Sequence, residues 1–332
     1  MLQKLGNSYY FNNNFEKAAQ WYGELFALTP DTEPEYYYRY AQTLKALKQY
    51  DKANQMMDAF NAKSANDGRA KLYSDAKDYL VQIEKNSGRY KIEDAGVNSS
   101  TSDYGSAVWN QQLIFTTARD TGNFAKRVNK WDNGYTTNFY SAPIATDGSL
   151  GTPKRWRTKV KTRFHEAIAT FSPDGKTMYF SRSNFLDGKR GRNGDKKTLV
   201  KIYKSELKDS IWSAASDLSI NNDDYHTGHP ALSADGKWLY FSSNREGGQG
   251  GSDIWRTAVA ADGSLGTPEN LGPAINTPGR DAFPFISSAG ELYFSTDGRP
   301  GLGGLDIYVS KPETDGSYKM AYNIGAPANS PA

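Results

Sequence analysis

The sequence predicts two domains of different class: an α-helical repeat domain at the N-terminus, then an all-β propeller with four blades visible and expected to be incomplete. Two internal repeats indicate this order, one at helical spacing within 1–88 and one at strand spacing after the linker 89–103. The 332 residues suffice for two separate hydrophobic cores. Aromatic residues make up 13% of the chain and 31 residues are glycine, a composition that favours short strands and tight turns over disorder.

Segment 1–88 is predicted to be helical because its apolar and small residues recur at three- and four-residue spacing. Two copies of a repeat within it fit the tetratricopeptide pattern of paired antiparallel helices. The first copy consists of Leu5, Gly6, Tyr9, Phe15, Ala18, Tyr22 and Pro30. The second copy, 35 residues further on, consists of Tyr40, Ala41, Leu44, Tyr50 and Ala53.

The small residues of these copies are expected to let the paired helices approach closely, while the aromatic residues fill the gaps between them. One further helix, from about Gly68 to Lys85, is predicted to cap the stack. The concave face of such an array is the expected groove for a peptide partner, with Tyr37, Tyr38 and Arg39 as the candidate binding residues.

After the linker, aromatic and β-branched runs alternate with Gly, Asp, Asn and Pro turns, which predicts strands. The second strand of each unit carries one of four triplets, spaced by 65, 61 and 53 residues: Leu113-Ile114-Phe115, Met178-Tyr179-Phe180, Leu239-Tyr240-Phe241 and Leu292-Tyr293-Phe294. The predicted third strands carry Asn138-Phe139-Tyr140, Lys201-Ile202-Tyr203, Asp253-Ile254-Trp255 and Asp306-Ile307-Tyr308. Four strands in each of four units predict a propeller over 104–332, with blades at about 104–160, 161–225, 226–280 and 281–332.

The predicted blades share turn residues. Asp-Gly steps between the first and second strands of blades two and three are expected to form tight hairpin turns. Glycine clusters at 247–251 and 301–304 precede the third strands of blades three and four. Either the aspartates that follow hydrogen-bond these turns, which is our interpretation, or the backbone N–H groups of the clusters hold an anion or a metal-bound water. The blade residues interpreted as structural are Asp174, Gly175, Asp235, Gly236, Asp253, Trp255, Asp306 and Tyr308.

No set of residues typical of an enzyme is found, and we expect no catalytic residue, cofactor or metal. The chain has no cysteine, which excludes disulfides and thiolate chemistry. It contains neither the Gly-x-Ser-x-Gly motif of α/β-hydrolases nor a phosphate-binding loop. The pair His226 and His229 lacks a third assigned ligand, so we interpret it as structural rather than as a zinc site. No apolar run is long enough to span a membrane.

Positive charge is concentrated in the first two predicted blades. From Arg119 to Lys204 the sequence holds 19 Lys or Arg against 7 Asp or Glu, whereas 1–88 holds 11 of each sign. This stretch is interpreted as a solvated surface, and binding of an anionic partner is the alternative. A ring of aromatic residues at the propeller mouth that binds a peptide or glycan is a second alternative. No nucleic-acid partner is expected.

The blade phrases resemble the WD40-like repeats of the TolB type, in which Pro-Asp-Gly is followed by Tyr-Phe-Ser and later by Asp-Ile-Trp. The third and fourth units match this pattern, whereas Asn138 and Lys201 replace the aspartate in the first two. Helical repeats followed directly by such blades, with 92–100 at the junction, resemble a family of Bacteroidetes envelope proteins known as OmpA-family proteins. Some members of that family act in type IX secretion and gliding.

The resemblance implies a non-enzymatic scaffold in the periplasm that is associated with the outer membrane and binds protein partners there. In that family a C-terminal domain binds peptidoglycan, and no residue of this chain matches that domain. The chain is expected to be an internal fragment, because its end repeats the ending of the third blade. Two alternatives remain open: a glycan- or anion-binding propeller module, and the non-catalytic propeller part of a hydrolase.

Overall fold

The computed structural model describes residues 1–119 and 134–331. In this part of the chain six helices are followed by eighteen strands. No helix among the described residues combines the length and apolar composition that crossing a membrane requires. The helices are α1 (Leu2–Phe11), α2 (Phe15–Leu28), α3 (Pro34–Ala46), α4 (Tyr50–Lys63), α5 (Gly68–Asp75) and α6 (Tyr79–Asn86).

The first four helices form two packed pairs, α1 with α2 and α3 with α4, each joined by a three-residue connection. A Cβ atom added to Gly6 would lie 2.5 Å from Cε1 of Tyr22, so only glycine permits this approach of α1 to α2. Ala18, Ala41 and Ala53 are fully buried between helices. The predicted close approach through small residues is confirmed.

The prediction of one capping helix from Gly68 to Lys85 is wrong, because the segment forms α5 and α6 with a break at 76–78. Tyr73 and Tyr79 explain the break. Six positions apart, they would point about 120° away from each other on a continuous helix. The break lets both hydroxyls donate to Asn54, Tyr73 to its carbonyl oxygen at 3.2 Å and Tyr79 to its Oδ1 at 3.0 Å.

The strands form four antiparallel four-stranded sheets arranged as propeller blades, plus one small hairpin. The second and third strands contain the triplets that predicted them. Blade 1 contains β1 (Asp103–Trp109), β2 (Gln112–Thr117), β3 (Asn138–Pro143) and β4 (Lys154–Arg155); blade 2 contains β5 (Glu166–Phe171), β6 (Thr177–Ser183), β9 (Val200–Lys208) and β10 (Ile211–Trp212), with the hairpin of β7 (Phe185–Leu186) and β8 (Lys189–Arg190) inserted; blade 3 contains β11 (Thr227–Leu232), β12 (Trp238–Ser243), β13 (Asp253–Ala258) and β14 (Glu269–Asn270); blade 4 contains β15 (Asp281–Ile286), β16 (Leu292–Thr296), β17 (Asp306–Ser310) and β18 (Tyr322–Asn323).

Each blade is tied to the loop that precedes it by an arginine at or just after the end of its second strand. The guanidinium donates to a backbone carbonyl of that loop and lies over an aromatic ring of its own blade, which satisfies the carbonyl and shields the charge. The four pairs of arginine and carbonyl residue are Arg119 with Val97, Arg182 with Val160, Arg245 with Ile220, and Arg299 with Ile275. Val97 belongs to the predicted linker, so the end of the linker serves as the loop that precedes blade 1.

The helices pack against blade 4. Tyr38 Oη and Gln42 Nε2 both donate to the carbonyl oxygen of Asp297, the amide at 3.0 Å. Tyr50 Oη donates to the carbonyl oxygen of Leu302 at 3.1 Å. These bonds join α3 and α4 to the connection between β16 and β17, so blade 4 contacts both its neighbouring blade and the helical unit.

A buried charge pair lies at the same contact. Lys45 of α3 is buried, and this burial lowers the pKa of Lys45 to about 8 although Asp306 opposes the shift. Burial likewise raises the pKa of Asp306 to about 6, against hydrogen bonding from the Gly303 amide and the charge of Lys45. The helical unit therefore supplies the cation that favours the ionised form of Asp306.

Candidate functional site

The innermost strand of every blade carries a β-bulge at the same place. Adjacent inner strands pack in the order β1, β5, β11 and β15, and the pairing of each with its neighbour shifts register near its middle. A residue with positive φ occupies each bulge: Gly105 at 63°, Ile168 at 45°, His229 at 54° and Phe283 at 55°. Only glycine adopts this region readily, and a β-branched residue there costs on the order of 1–3 kcal/mol. The bulges therefore hold strain around the propeller axis.

The hydroxyl of the preceding blade holds the bulge in place. The N–H of Ile168 donates to Thr116 Oγ1 at 3.0 Å, and the N–H of His229 donates to Ser181 Oγ at 2.9 Å. These hydroxyls follow the aromatic triplets of the second strands. Thr116 of blade 1 and Ser181 of blade 2 thus each connect their own blade to the bulge of the next.

The bulges turn side chains into a cavity of about 470 Å³ at the centre of the propeller. Tyr104, Ile168, His229 and Phe283 line it, one from each inner strand. Tyr104 is 39% exposed and Phe283 is 42% exposed, so both rings face the open part of the channel. A concave, largely apolar cavity of this size with a few polar groups is the usual form of a ligand site. We define these four residues as the channel site.

His229 is held as a neutral ring within the channel site. Its imidazole stacks on Phe283 with 4.0 Å between ring centroids and an interplanar angle of 16°, and its Nδ1 is 2.8 Å from Ser242 Oγ. Burial, with a smaller contribution from the charge of His226, lowers the pKa of His229 to about 4. At neutral pH the ring therefore offers an aromatic face and a neutral Nε2 to a ligand rather than a positive charge.

The predicted Asp-Gly residues lie at the hairpin tips of blades 2 and 3 and do not line the channel site. Gly175 has φ of 68° and Gly236 has φ of 71°, the left-handed conformation that these turns require. Asp174 Oδ1 accepts from the Lys176 N–H at 3.0 Å, and Asp235 accepts from the Lys237 N–H at 3.1 Å. Hydrogen bonds within the turn lower the pKa of both aspartates. The largest contribution comes from the Ser172 hydroxyl for Asp174 and from the Ser233 hydroxyl for Asp235.

The aspartates after the glycine clusters hydrogen-bond those clusters. Asp253 accepts from the N–H groups of Gln249 at 2.7 Å and Gly250 at 3.1 Å, and Asp306 accepts from Gly303 N–H at 3.3 Å. The aromatic partners lie inside the blades, where Trp255 Nε1 donates to the Ser243 carbonyl at 3.3 Å and Tyr308 Oη donates to the Pro300 carbonyl. In this geometry the N–H groups of Gln249, Gly250 and Gly303 already have acceptors. The interpretation of these residues as structural stays a prediction.

The candidate partner-binding residues of the helices are largely engaged within the chain. Tyr37 and Tyr38 are buried, Tyr37 Oη bonding to the Pro30 carbonyl and Tyr38 Oη to blade 4. Arg39 pairs with Glu35 at 3.1 Å and donates to Asn7 at 2.9 Å. As placed here, the two tyrosines do not form an open surface, and partner binding by these three residues stays a prediction.

The rings of the two histidines have separate partners. His226 Nδ1 accepts from the N–H of Val200 at 3.1 Å, while His229 contacts Ser242. Within 1–119 and 134–331 no group of three His, Asp or Glu side chains is placed to share a metal ion. Part of the basic stretch, 120–133, lies outside the described residues; in the described part Lys201 pairs with Asp223 at 2.7 Å.

No protein-family model matches the chain, and no curated protein matches it either. Among solved structures it is similar to TolB from Acinetobacter baumannii, with a TM-score of 0.41 and 17% identity over 66% of this chain and 42% of that chain. A putative TolB from Agrobacterium tumefaciens gives a TM-score of 0.38 and 20% identity over 64% of this chain and 61% of that one. A puromycin-hydrolyzing peptidase from Mycobacterium tuberculosis gives 0.38 and 14% identity over 68% and 39%. The chain thus spans less than two thirds of each, and the fold assignment rests on its own strand pairing.

The sequence predicted none of the bulge residues that form the channel site. Gly, Ile, His and Phe occupy equivalent positions, so no residue type repeats there. The available signal is indirect: in blades 1 and 2 the hydroxyl after the aromatic triplet accepts the N–H that the bulge of the next blade releases.

Proposed function

We propose that the chain is a non-enzymatic protein-interaction module whose channel site binds an extended segment of a partner protein. The observation that carries the proposal is the placement of Tyr104, Ile168, His229 and Phe283 around one cavity by four equivalent bulges. Aromatic and aliphatic groups beside a few polar ones, among them the buried guanidinium of Arg182, suit a peptide, which presents apolar side chains and backbone hydrogen-bonding groups together. Strain retained at the three positions that are not glycine, Ile168, His229 and Phe283, supports a role in binding.

One contact favours catalysis instead, the hydrogen bond between Ser242 and His229. Two features argue against a nucleophilic serine. Ser242 is only 6% exposed, and among the described residues no carboxylate hydrogen-bonds His229 to orient it. A histidine whose pKa is about 4 is also a weak general base at neutral pH. These features support a binding role for the pair.

We further propose that the helical unit is a tetratricopeptide-like array and that the chain works as a scaffold in the periplasm, associated with the outer membrane. The paired helices and their contacts through Gly6, Ala18, Ala41 and Ala53 support the first part. The second part rests on the resemblance of the sequence to OmpA-family envelope proteins with roles in type IX secretion and gliding. Attachment to peptidoglycan would require a domain that these residues do not match.

A glycan- or anion-binding role is the second candidate, favoured by a cavity of about 330 Å³ between blades 1 and 2. Trp109, Trp156 and Trp212 line it with ring centroids 5.5 to 5.9 Å apart. The exposed cations Arg157 and Lys159 lie beside them. Binding there would weaken steeply with salt, whereas binding in the channel would change less, because the channel histidine is neutral and the Arg182 guanidinium that also lines the cavity is buried.

The proposal is tested by placing a photo-crosslinking amino acid at Phe283 and irradiating intact cell envelopes that contain the full-length protein. A discrete protein adduct is expected from Phe283. The matched control places the same group at Val108, which is 66% exposed on β1 and lines neither the channel site nor the tryptophan-lined cavity. Equal adducts from both positions, or none from Phe283, would argue against the channel as a peptide site. Labelling of Ser242 by a fluorophosphonate probe would show that the site is catalytic.

A further inference from the structure

A further cavity lies between the helices and blade 4, distinct from both the channel site and the tryptophan-lined cavity. Its volume is about 310 Å³, and its walls come from α5, α6 and the outer strands of the blade. Tyr79 and Ile83 line it on the helical side, and Tyr308 and Met320 line it on the blade side. The walls are mainly apolar, and the volume suits a small organic molecule. We call this cavity the interdomain cleft.

The arginine that lines the interdomain cleft is buried without an anionic partner. Arg299 is 6% exposed, and in the described part of the chain no carboxylate oxygen lies within 4.0 Å of its guanidinium; the buried Asp281 acts on it only from a greater distance. Its Nη2 donates to the carbonyl oxygens of Pro273, Ala274 and Ile275. Its Nη1 contacts only the thioether sulfur of Met320 at 3.4 Å, and its Nε has no partner. A buried cation ordinarily requires a paired anion, because removing it from water is costly.

Among the described residues, Arg182 and Arg245 of the other blades also lack a carboxylate in contact, and Arg299 differs from them in the acceptors that its nitrogens reach. Arg119 has a carboxylate partner, Asp103, at 2.9 Å. Both terminal nitrogens of Arg182 donate to carbonyl oxygens, and Nε of Arg245 donates to Ser243 Oγ. Among the four arginines, only Arg299 has a terminal nitrogen whose acceptor is a thioether, and a thioether is a weak acceptor. The sulfur belongs to a side chain that is 61% exposed and free to move aside.

We infer that the interdomain cleft binds a small organic monocarboxylate, with the carboxylate on Arg299 in place of the Met320 sulfur and the apolar body between α6 and blade 4. A carboxylate supplies the charge that the guanidinium lacks and replaces a weak acceptor by a charge-assisted hydrogen bond. The rim carries one opposing charge, the exposed Asp75 of α5. This site does not depend on the channel site or on a protein partner.

The test compares phenylacetate with phenylacetamide, which has the same ring and no charge, by isothermal titration calorimetry on the whole chain. Phenylacetate is expected to bind at least about tenfold more tightly, since hydrogen bonds to charged groups are the strong ones. Asp75→Asn is expected to tighten phenylacetate binding about twofold to threefold by removing the like charge. Equal affinities for the acid and the amide would overturn the inference.

Two substitutions at Met320 test the site without reliance on the probe, and they leave Arg299 with its carbonyl contacts. Met320→Glu supplies a carboxylate beside the guanidinium; it is expected to raise the melting temperature above that of Met320→Gln and to abolish phenylacetate binding. Met320→Gln is the neutral control of equal length and is expected to retain binding. If the two variants melt alike and bind phenylacetate alike, no anion is accommodated at Arg299 and the inference fails.

Discussion

Blades 1 and 4 are built from the same parts and differ in one charge contact. Each begins its inner strand with a buried or nearly buried aspartate and carries an arginine after its second strand. In blade 1, Arg119 Nη2 lies 2.9 Å from Asp103. In blade 4, Arg299 and Asp281 form no ion pair, and Asp281 Oδ1 and Arg299 Nε both lack partners. The repeat therefore specifies the residues without specifying whether their charges meet.

The two aspartates consequently titrate in opposite directions. Burial alone would raise the pKa of Asp103, yet hydrogen bonds from Thr117, Arg119 and Ser99 lower it to about 2. Burial raises the pKa of Asp281 to about 7 in spite of hydrogen bonds from Thr277. One motif thus gives a permanently ionised aspartate where the arginine reaches it, and a group that titrates near neutrality where the arginine faces loop carbonyls instead.

The largest expected effect separates the two arginines. Arg119→Met leaves Asp103 nearly buried without its counter-charge, and we expect a loss of about 3 kcal/mol in the free energy of unfolding. Arg299→Met removes the donor to three loop carbonyls, but it also removes a buried cation that contacts no carboxylate of the described chain. We expect it to cost about half as much. Urea unfolding of both variants at pH 7 measures the difference, and a larger loss for Arg299→Met would contradict the comparison.

The blades could be predicted from the sequence because their strands alternate in a fixed pattern around the aromatic triplets, and all four triplets lie in second strands. The arginines were missed because their distance from the triplet varies: Arg182 follows Phe180 by two positions, whereas Arg299 follows Phe294 by five. The distance in sequence between the arginine and the triplet can vary, because the bond to the neighbouring loop constrains only the position of the guanidinium in space.

The helix break and the channel site depend on contacts between distant residues. The break at 76–78 exists because Tyr73 and Tyr79 both reach Asn54 on another helix, and local helix propensity gives no sign of it. The bulges likewise depend on a hydroxyl of the neighbouring blade, as Ile168 does on Thr116. Backbone conformation at these positions is imposed by the assembled propeller.

The second prediction concerns the pH at which each of the two aspartates contributes to the stability of the fold. The folded pKa of Asp281, about 7, lies above the ordinary value of about 4, so its contribution to stability is complete below pH 4 and is lost as pH rises to about 7. For Asp103 the folded pKa of about 2 lies below the ordinary value, so its contribution is complete above about pH 4 and is lost as pH falls towards 2.

Asp281→Asn is therefore expected to gain about 2 kcal/mol of stability relative to the unsubstituted chain between pH 5 and pH 8. Asp103→Asn, the matched control, is expected to change by the same amount at both values, because Asp103 is ionised throughout that range. Urea unfolding at the two pH values gives the differences. Glu166, Asp306 and His229 also titrate, but they are common to all the chains compared. A pH-independent difference for Asp281→Asn would show that Asp281 stays ionised.

The smallest expected effect concerns the helices, which contact blade 4 at Asp297. Tyr38→Phe removes one hydrogen bond to the Asp297 carbonyl while Gln42 still donates to it, so we expect a loss of about 1 kcal/mol. Tyr37→Phe removes a bond to Pro30 within the helical unit and is expected to cost a similar amount. Stability alone does not separate the two variants.

Amide hydrogen exchange separates them, because of these two tyrosines only Tyr38 hydrogen-bonds to blade 4. Exchange in 297–302 of blade 4 is expected to accelerate in Tyr38→Phe and to stay unchanged in Tyr37→Phe, with exchange in blade 1 unchanged in both. Acceleration in blade 4 by both substitutions would mean that any loosening of the helices reaches the blade. In that case the contact at Asp297 would be one of many equivalent links, and blade 4 would differ from blade 1 through its whole interface rather than through Tyr38.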